Sequence, residues 1–270
     1  MLGFRQRSLR PLSRRLRDAL RTGRPPRSQR VYVVTIRGRR YKRVVLPDAH
    51  HAAAIAARLR EFGPEGVYPE LILERERELW VEFIEGAPLR DPTAEAVEGV
   101  ARVLGALQRR GPRLLPLSET PFLHELRVDL RFLADVGVLA SETARRLTAR
   151  AEQWAPERVW VGHDCTDAIA KNFVRGADGR VRAVDVESLG AEQLIGIGPA
   201  KACLRWLGPQ RERFLTTLRE LGAPAFEPYF GFVELAFLAF WTKSSLLEGK
   251  RRFVSSQAFE RFSSHDPRDA

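Results

Sequence analysis

A chain of 270 residues in which 44% of side chains are apolar can bury one large core or two modest ones, which excludes an intrinsically disordered polypeptide. The net charge of +11 is concentrated: residues 1–30 hold ten Arg against Asp18 alone, a surplus of +9, so the rest of the chain is nearly neutral. Two cysteines, Cys165 and Cys203, and five scattered histidines supply neither a disulfide framework nor a Cys/His zinc spacing, which fits a reducing cytoplasm.

In the N-terminal segment Arg5, Arg7, Arg10, Arg14, Arg15, Arg17, Arg21 and Arg24 are interleaved with Leu2, Phe4, Leu9, Leu12, Leu16 and Leu20. The pattern suits a basic amphipathic helix, which favours peripheral contact with an anionic membrane face. The alternative is an arm that packs its leucines on the first lobe and solvates its arginines. No recognised nucleic-acid module accompanies the charge, which alone supports only nonspecific contact, so nucleic acid is not an expected partner. The segment lacks the apolar run of a secretory signal. Residues 235–241, the longest uncharged apolar run near the C-terminus, fall well short of the ~20 residues that cross a bilayer.

Residues 31–36 and 41–46 are β-rich runs separated by Arg-Gly-Arg-Arg, which predicts a hairpin ended by Pro47. Asp48 is placed to cap a helix over 49–62, with Ala52, Ile55, Ala56, Leu59 and Phe62 on one face and Gly63-Pro64 as its stop. A second hairpin follows, with strands at 70–73 and 79–84. Helices are expected over 93–110, 121–138 and 141–154, the first with an apolar stripe of Val97, Val100, Leu104 and Leu107. Further helices are expected over 199–207, 210–221 and 226–247, the last aromatic on more than one side and read as core, with a membrane- or partner-facing role as the alternative.

Between these helical stretches, residues 162–189 carry the chemistry. Asp167 and Asn172 sit five apart in a segment without helical pattern. Phe173-Val174 begin a strand, Asp178-Gly179 make a turn, and residues 181–184 return as a strand ending at Asp185. Asn172 and Asp185 are thus placed to share a divalent cation, and oxygen ligands suit Mg²⁺, which completes its shell with water and phosphate oxygens. Asp167 is then available to deprotonate an attacking hydroxyl. The plainer alternative is an acidic hairpin whose Asp and Asn only cap turns.

The order Asp-x4-Asn, strand, turn, strand, Asp resembles the catalytic loop and metal-binding Asp of the protein-kinase-like fold, in the branch of aminoglycoside phosphotransferases, choline kinases and bacterial lipopolysaccharide sugar kinases. The resemblance implies an α+β, two-lobed chain: an Arg-rich arm (1–30), a small β-rich N-lobe (31–86) and an α-rich C-lobe (87–270). It implies ATP and Mg²⁺ as cofactors and a small-molecule or glycan hydroxyl as phosphate acceptor. By likeness Asp167 is the catalytic base, Asn172 and Asp185 are metal ligands, and Glu187 is the second acidic residue often found there.

Lys42 and Glu61 are the candidates for the phosphate-holding Lys and the helix Glu that orients it. Backbone groups near Glu82 to Ile84 resemble the hinge that hydrogen-bonds adenine, with Gly86 permitting the turn into the second lobe. The chain departs from the family where Cys165 and Thr166 precede Asp167. The His163-Asp164 pair has the family's residue types but stands eight residues before Asn172, which breaks the spacing. Two other readings stay open: a kinase-like pseudoenzyme or nucleotide-binding regulatory module, and a membrane- or nucleic-acid-associated scaffold acting through the Arg-rich arm, at the inner face of the membrane if the former. The sequence leaves the acceptor and the oligomeric state open.

Overall fold

The computed structural model describes residues 5–8, 30–249 and 255–264. By packing, the chain divides into two compact units, residues 1–103 with 170–189 and residues 104–169 with 190–270. The hairpin read within the C-lobe is thereby grouped with the first unit.

In the first unit, β1 (Arg5–Ser8), β2 (Arg30–Ile36), β3 (Arg39–Val45), β4 (Leu71–Arg75) and β5 (Glu78–Glu82) form an antiparallel sheet of order β1-β2-β3-β5-β4. Arg37 and Gly38, with φ of 50° and 78°, turn β2 into β3 as a two-residue hairpin loop requires. Strand β1 corrects one expectation: residues 5–8 are not helical but pair antiparallel with β2, Arg5 opposite Thr35 and Ser8 opposite Tyr32. The rest of the expected basic helix lies outside the described residues.

Helix α1 (Ala49–Phe62) has the expected bounds, with Asp48 Oδ1 accepting from the His51 amide at 2.8 Å. It buries the predicted stripe of Ala52, Ile55, Ala56, Leu59 and Phe62, and burying Leu59 and Phe62 contributes roughly 1.5–3 kcal/mol each. A second sheet, of order β10-β9-β6, joins β6 (Gly86–Pro88), β9 (Phe173–Gly176) and β10 (Val181–Ala183). Helix α2 (Ala94–Gln108) follows; its Gly99 lies so close to β10 that a Cβ would stand 2.3 Å from Val181 Cγ2.

The second unit is mostly helical: the end of α2, α3 (Phe122–Asp135), α4 (Ser141–Trp154), α5 (Ile197–Ala202), α6 (Arg211–Glu220), α7 (Phe230–Leu247) and α8 (Glu260–Ser264). It also holds a sheet absent from the sequence reading, β7 (Arg113–Pro116), β8 (Arg158–Cys165) and β11 (Leu189–Leu194), in the order β11-β8-β7.

By length and hydropathy the stretch Glu227–Leu247 could cross a membrane, yet its window is 56% buried within the protein. Glu234 pairs there with Arg211 and Arg261, and Lys243 pairs with Asp129. Buried, paired charges and apolar faces all round identify α7 as the core helix of this unit.

Candidate active site

In the first unit the β9–β10 hairpin brings its two ends together. Ala183 stands opposite Phe173, and the Val184 amide donates to the Asn172 carbonyl at 2.8 Å. The next residue, Asp185, therefore lies beside Asn172, whose Nδ2 approaches Asp185 Oδ2 at 3.4 Å. The Ser188 amide and hydroxyl close on the Asp185 carbonyl at 3.1 and 2.6 Å, shaping the turn Val186–Ser188 that carries Glu187.

Lys42, on β3 between β2 and β5, reaches this group and donates through Nζ to the Val184 carbonyl. Burial pulls the Lys42 ammonium below the ordinary lysine range, opposed first by the charge of Asp185 and then by that of Glu187. Lys42, Asn172, Asp185 and Glu187 thus form one cluster of a cation, an amide and two carboxylates.

The second unit holds Asp167, just past the end of β8. Its Oδ1 forms an ion pair with Lys201 Nζ of α5, and the same ammonium donates to the Thr166 carbonyl at 3.3 Å. The Trp206 indole donates to the Ala168 carbonyl at 3.3 Å. Asp164, three residues before Asp167, is fully buried and accepts from the amides of Cys165 (2.7 Å), Gly196 (2.9 Å) and Gly198 (3.2 Å) and from Gln108 Nε2 (3.2 Å). Burial pushes its carboxyl up to about 6, against the lowering effect of these donors. Gly198 must lack a side chain, because a Cβ would stand 2.4 Å from Asp164 Oδ1. Asp164 is therefore an anchor between β8 and the start of α5.

Three of the expected site residues are placed differently. Glu61 lies on the exposed face of α1, while the carboxylates acting on Lys42 come from the turn after β10. The Glu82 amide, at the end of β5, donates to the Glu70 carbonyl at 2.9 Å, so of its two backbone groups only the carbonyl could serve the expected contact with adenine. Gly86 is required not by a turn but by close approach, since a Cβ there would meet the Arg175 carbonyl oxygen at 2.0 Å. Ile84 is buried beside this point.

Sequence reasoning missed Lys201. Its signal was weak but present: one of five Lys in an Arg-rich chain, just after Gly-x-Gly-Pro (residues 196–199), where a chain packs closely before a helix. The two cysteines, Cys165 and Cys203, are free thiols. Both are buried, and burial pushes the Cys203 thiol up to about 12, too weakly ionised to attack.

No protein-family model matches the sequence, and a search of curated proteins finds no match either. Solved structures do match. The choline kinase LicA from Streptococcus pneumoniae superposes with a TM-score of 0.68 at 13% identity, over 98% of this chain and 94% of that one. A macrolide 2'-phosphotransferase type I gives 0.60 at 14% identity, over 94% and 97%. A thermostable aminoglycoside phosphotransferase, solved as a ternary complex with ADP and hygromycin B, gives 0.60 at 15% identity, over 93% and 97%. The chain therefore has the α+β, two-lobed protein-kinase-like fold that these solved phosphotransferases also have.

Proposed function

We propose that this chain is an ATP- and Mg²⁺-dependent phosphotransferase acting on a hydroxyl of a small molecule or glycan. The observation that carries the reading is the cluster of Lys42, Asn172, Asp185 and Glu187 at the open end of the β9–β10 hairpin. Asn172 and Asp185 would hold the cation. Asn172 would present its side-chain carbonyl and Asp185 its carboxylate, an all-oxygen donor set. Among the described residues no group of three or more His, Cys, Asp or Glu could hold a metal, so water and phosphate oxygens would complete the shell, as Mg²⁺ prefers.

Bound there, Mg²⁺ would neutralise charge on the transferring phosphates. Lys42 would hold those phosphates, oriented by Asp185 and Glu187 instead of by Glu61. Asp167 would accept the proton of the attacking hydroxyl. The solved neighbours named for choline, macrolide and aminoglycoside chemistry support an acceptor of that size.

One observation favours a second reading, a module that binds nucleotide without turnover: Glu61 lies on the exposed face of α1, so the helix carboxylate expected to orient Lys42 is not supplied there. Thermal shift with ATP, with and without Mg²⁺, followed by ADP release on choline, aminoglycoside, macrolide and sugar acceptors, separates the two. Mg²⁺-dependent stabilisation with acceptor-stimulated ADP release is expected. Binding without release on any acceptor would favour the second reading, and no binding at all would remove both.

A further inference from the structure

We infer that Lys201 is a positioning residue that holds Asp167 for proton acceptance, an inference resting on the phosphotransfer reading above. Lys201 is 8% exposed; its ammonium pairs with Asp167 Oδ1, donates to the Thr166 carbonyl, and lies 5.7 Å from the centre of the Phe237 ring. It thereby grips side chain and backbone of consecutive residues, which restrains the carboxylate more than a side-chain pair alone. The segment that carries it is itself tied to this loop, through Asp164 to Gly196 and Gly198 on one side and through Trp206 to Ala168 on the other.

The exposure of the partners separates this pair from the unit's structural ones. In Lys243–Asp129 and Arg211–Glu234 the carboxylate is the buried member, 5% exposed, and the cation is the more open one, at 29% and 36%. In Lys201–Asp167 the order is reversed: the lysine side chain is 10% exposed and the aspartate 34%. A buried cation holding a carboxylate that reaches solvent leaves the reactive group accessible and its direction restrained.

In the step served, the acceptor oxygen bonds to the γ-phosphorus as the bond from that phosphorus to the β,γ-bridging oxygen breaks. ADP leaves with that electron pair, and the acceptor's proton passes to Asp167 and then to solvent. Lys201 gives up no proton in this step.

The test is steady-state ADP release from Mg·ATP with water as acceptor, in the parent and in Lys201→Met, Lys201→Gln and Lys201→Arg. Lys201→Met should lose about 100-fold in kcat, with KM for Mg·ATP within about twofold of the parent. Lys201→Arg, which keeps the charge, should recover about tenfold over Lys201→Gln, which keeps only a donor.

A Lys201→Met kcat equal to the parent's, a KM rising in step with the fall, or an Arg variant no better than Gln would overturn the inference. Should Lys201→Met not fold, the Arg and Gln variants decide by the same comparison. Where only one of the choline, aminoglycoside, macrolide or sugar acceptors supports release, the variants are compared on that acceptor. A parent that binds Mg·ATP but releases no ADP with water or with any of those acceptors sinks the phosphotransfer reading itself, and the role of Lys201 with it. That outcome is seen before any variant is made.

Discussion

The two units hold mirror-image arrangements of charge: in the first, carboxylates of Asp185 and Glu187 act on one lysine, and in the second a buried lysine grips one carboxylate, Asp167. The first is assembled by hairpin register, from residues that a strand, a turn and a second strand bring opposite one another. The second is assembled by a short helix arriving from more than thirty residues along the chain. The difference teaches that the first cluster can be changed through local pairing, whereas the second depends on how the α5 segment is seated.

The comparison breaks first at Asp185. Asp185→Ala should lower Mg²⁺-dependent ADP release by about 10³-fold, the scale of losing a principal electrostatic group, and should raise the Mg²⁺ concentration needed for half-maximal rate. Lys201→Met should leave that Mg²⁺ dependence unmoved. If both variants shift it alike, the two clusters do not divide the work as assigned.

Lys42→Met should cost about 10²-fold in ADP release through a higher KM for Mg·ATP as well as a lower kcat. A rate near the parent's would show that the phosphates are held elsewhere.

Asp164→Asn tests the seating of α5. Replacing an acceptor of several N–H groups by an amide should cost about 1–3 kcal/mol at neutral pH, measured by urea denaturation. The carboxyl is raised from 3.8 to about 6 in the fold, so the native state binds more protons than the unfolded chain across that window. Its contribution to stability is full below pH 3.8 and is lost as pH rises through about 6. The variant should lose this part of the slope, and an identical pH profile in parent and variant would contradict the burial argument.

Gly99→Ala should destabilise the first unit by about 1–3 kcal/mol, because its methyl would overlap Val181 on the strand leading to Asp185. An unchanged denaturation midpoint would show that the helix simply moves aside. The smallest effect belongs to Glu61→Ala, expected to leave ADP release within about twofold of the parent, as an exposed substitution away from the chemistry should.

Much of this was legible in the sequence, for identifiable reasons. Helix α1 was read from a capping Asp48, a single apolar face and a Gly-Pro stop, and α4 has the expected start and end, residues 141 and 154. The hairpin ending at Asp185 was read from Asp178-Gly179 between two short β-rich runs, and Gly179 has φ of 76°. These signals are local.

What escaped is non-local. Strand β8 has only three consecutive apolar residues, 159–161, before Gly162, His163 and Asp164, and its partners, β7 and β11, lie far off in the chain, so local periodicity does not mark it as a strand. The pairing of Lys201 with Asp167 spans 34 residues and leaves no periodic trace. Glu61 failed for a related reason: charge and separation suited it, but its place on the helix turns it to the exposed face, and the carboxylates came from another element.

Strand β1 bears on how the N-terminal arginines can be studied. Arg5–Ser8 occupies the outer edge of β2, leaving β4, with its exposed Ile72 and Leu73, as the other margin of that sheet. A truncation that removes the arm also strips a backbone partner from β2 and replaces the four-residue edge strand β1 by the seven-residue β2, a longer template for self-association. Any change in association after such a truncation would be mixed with new stickiness. Charge reversal of arginines, with the chain length kept, separates the two.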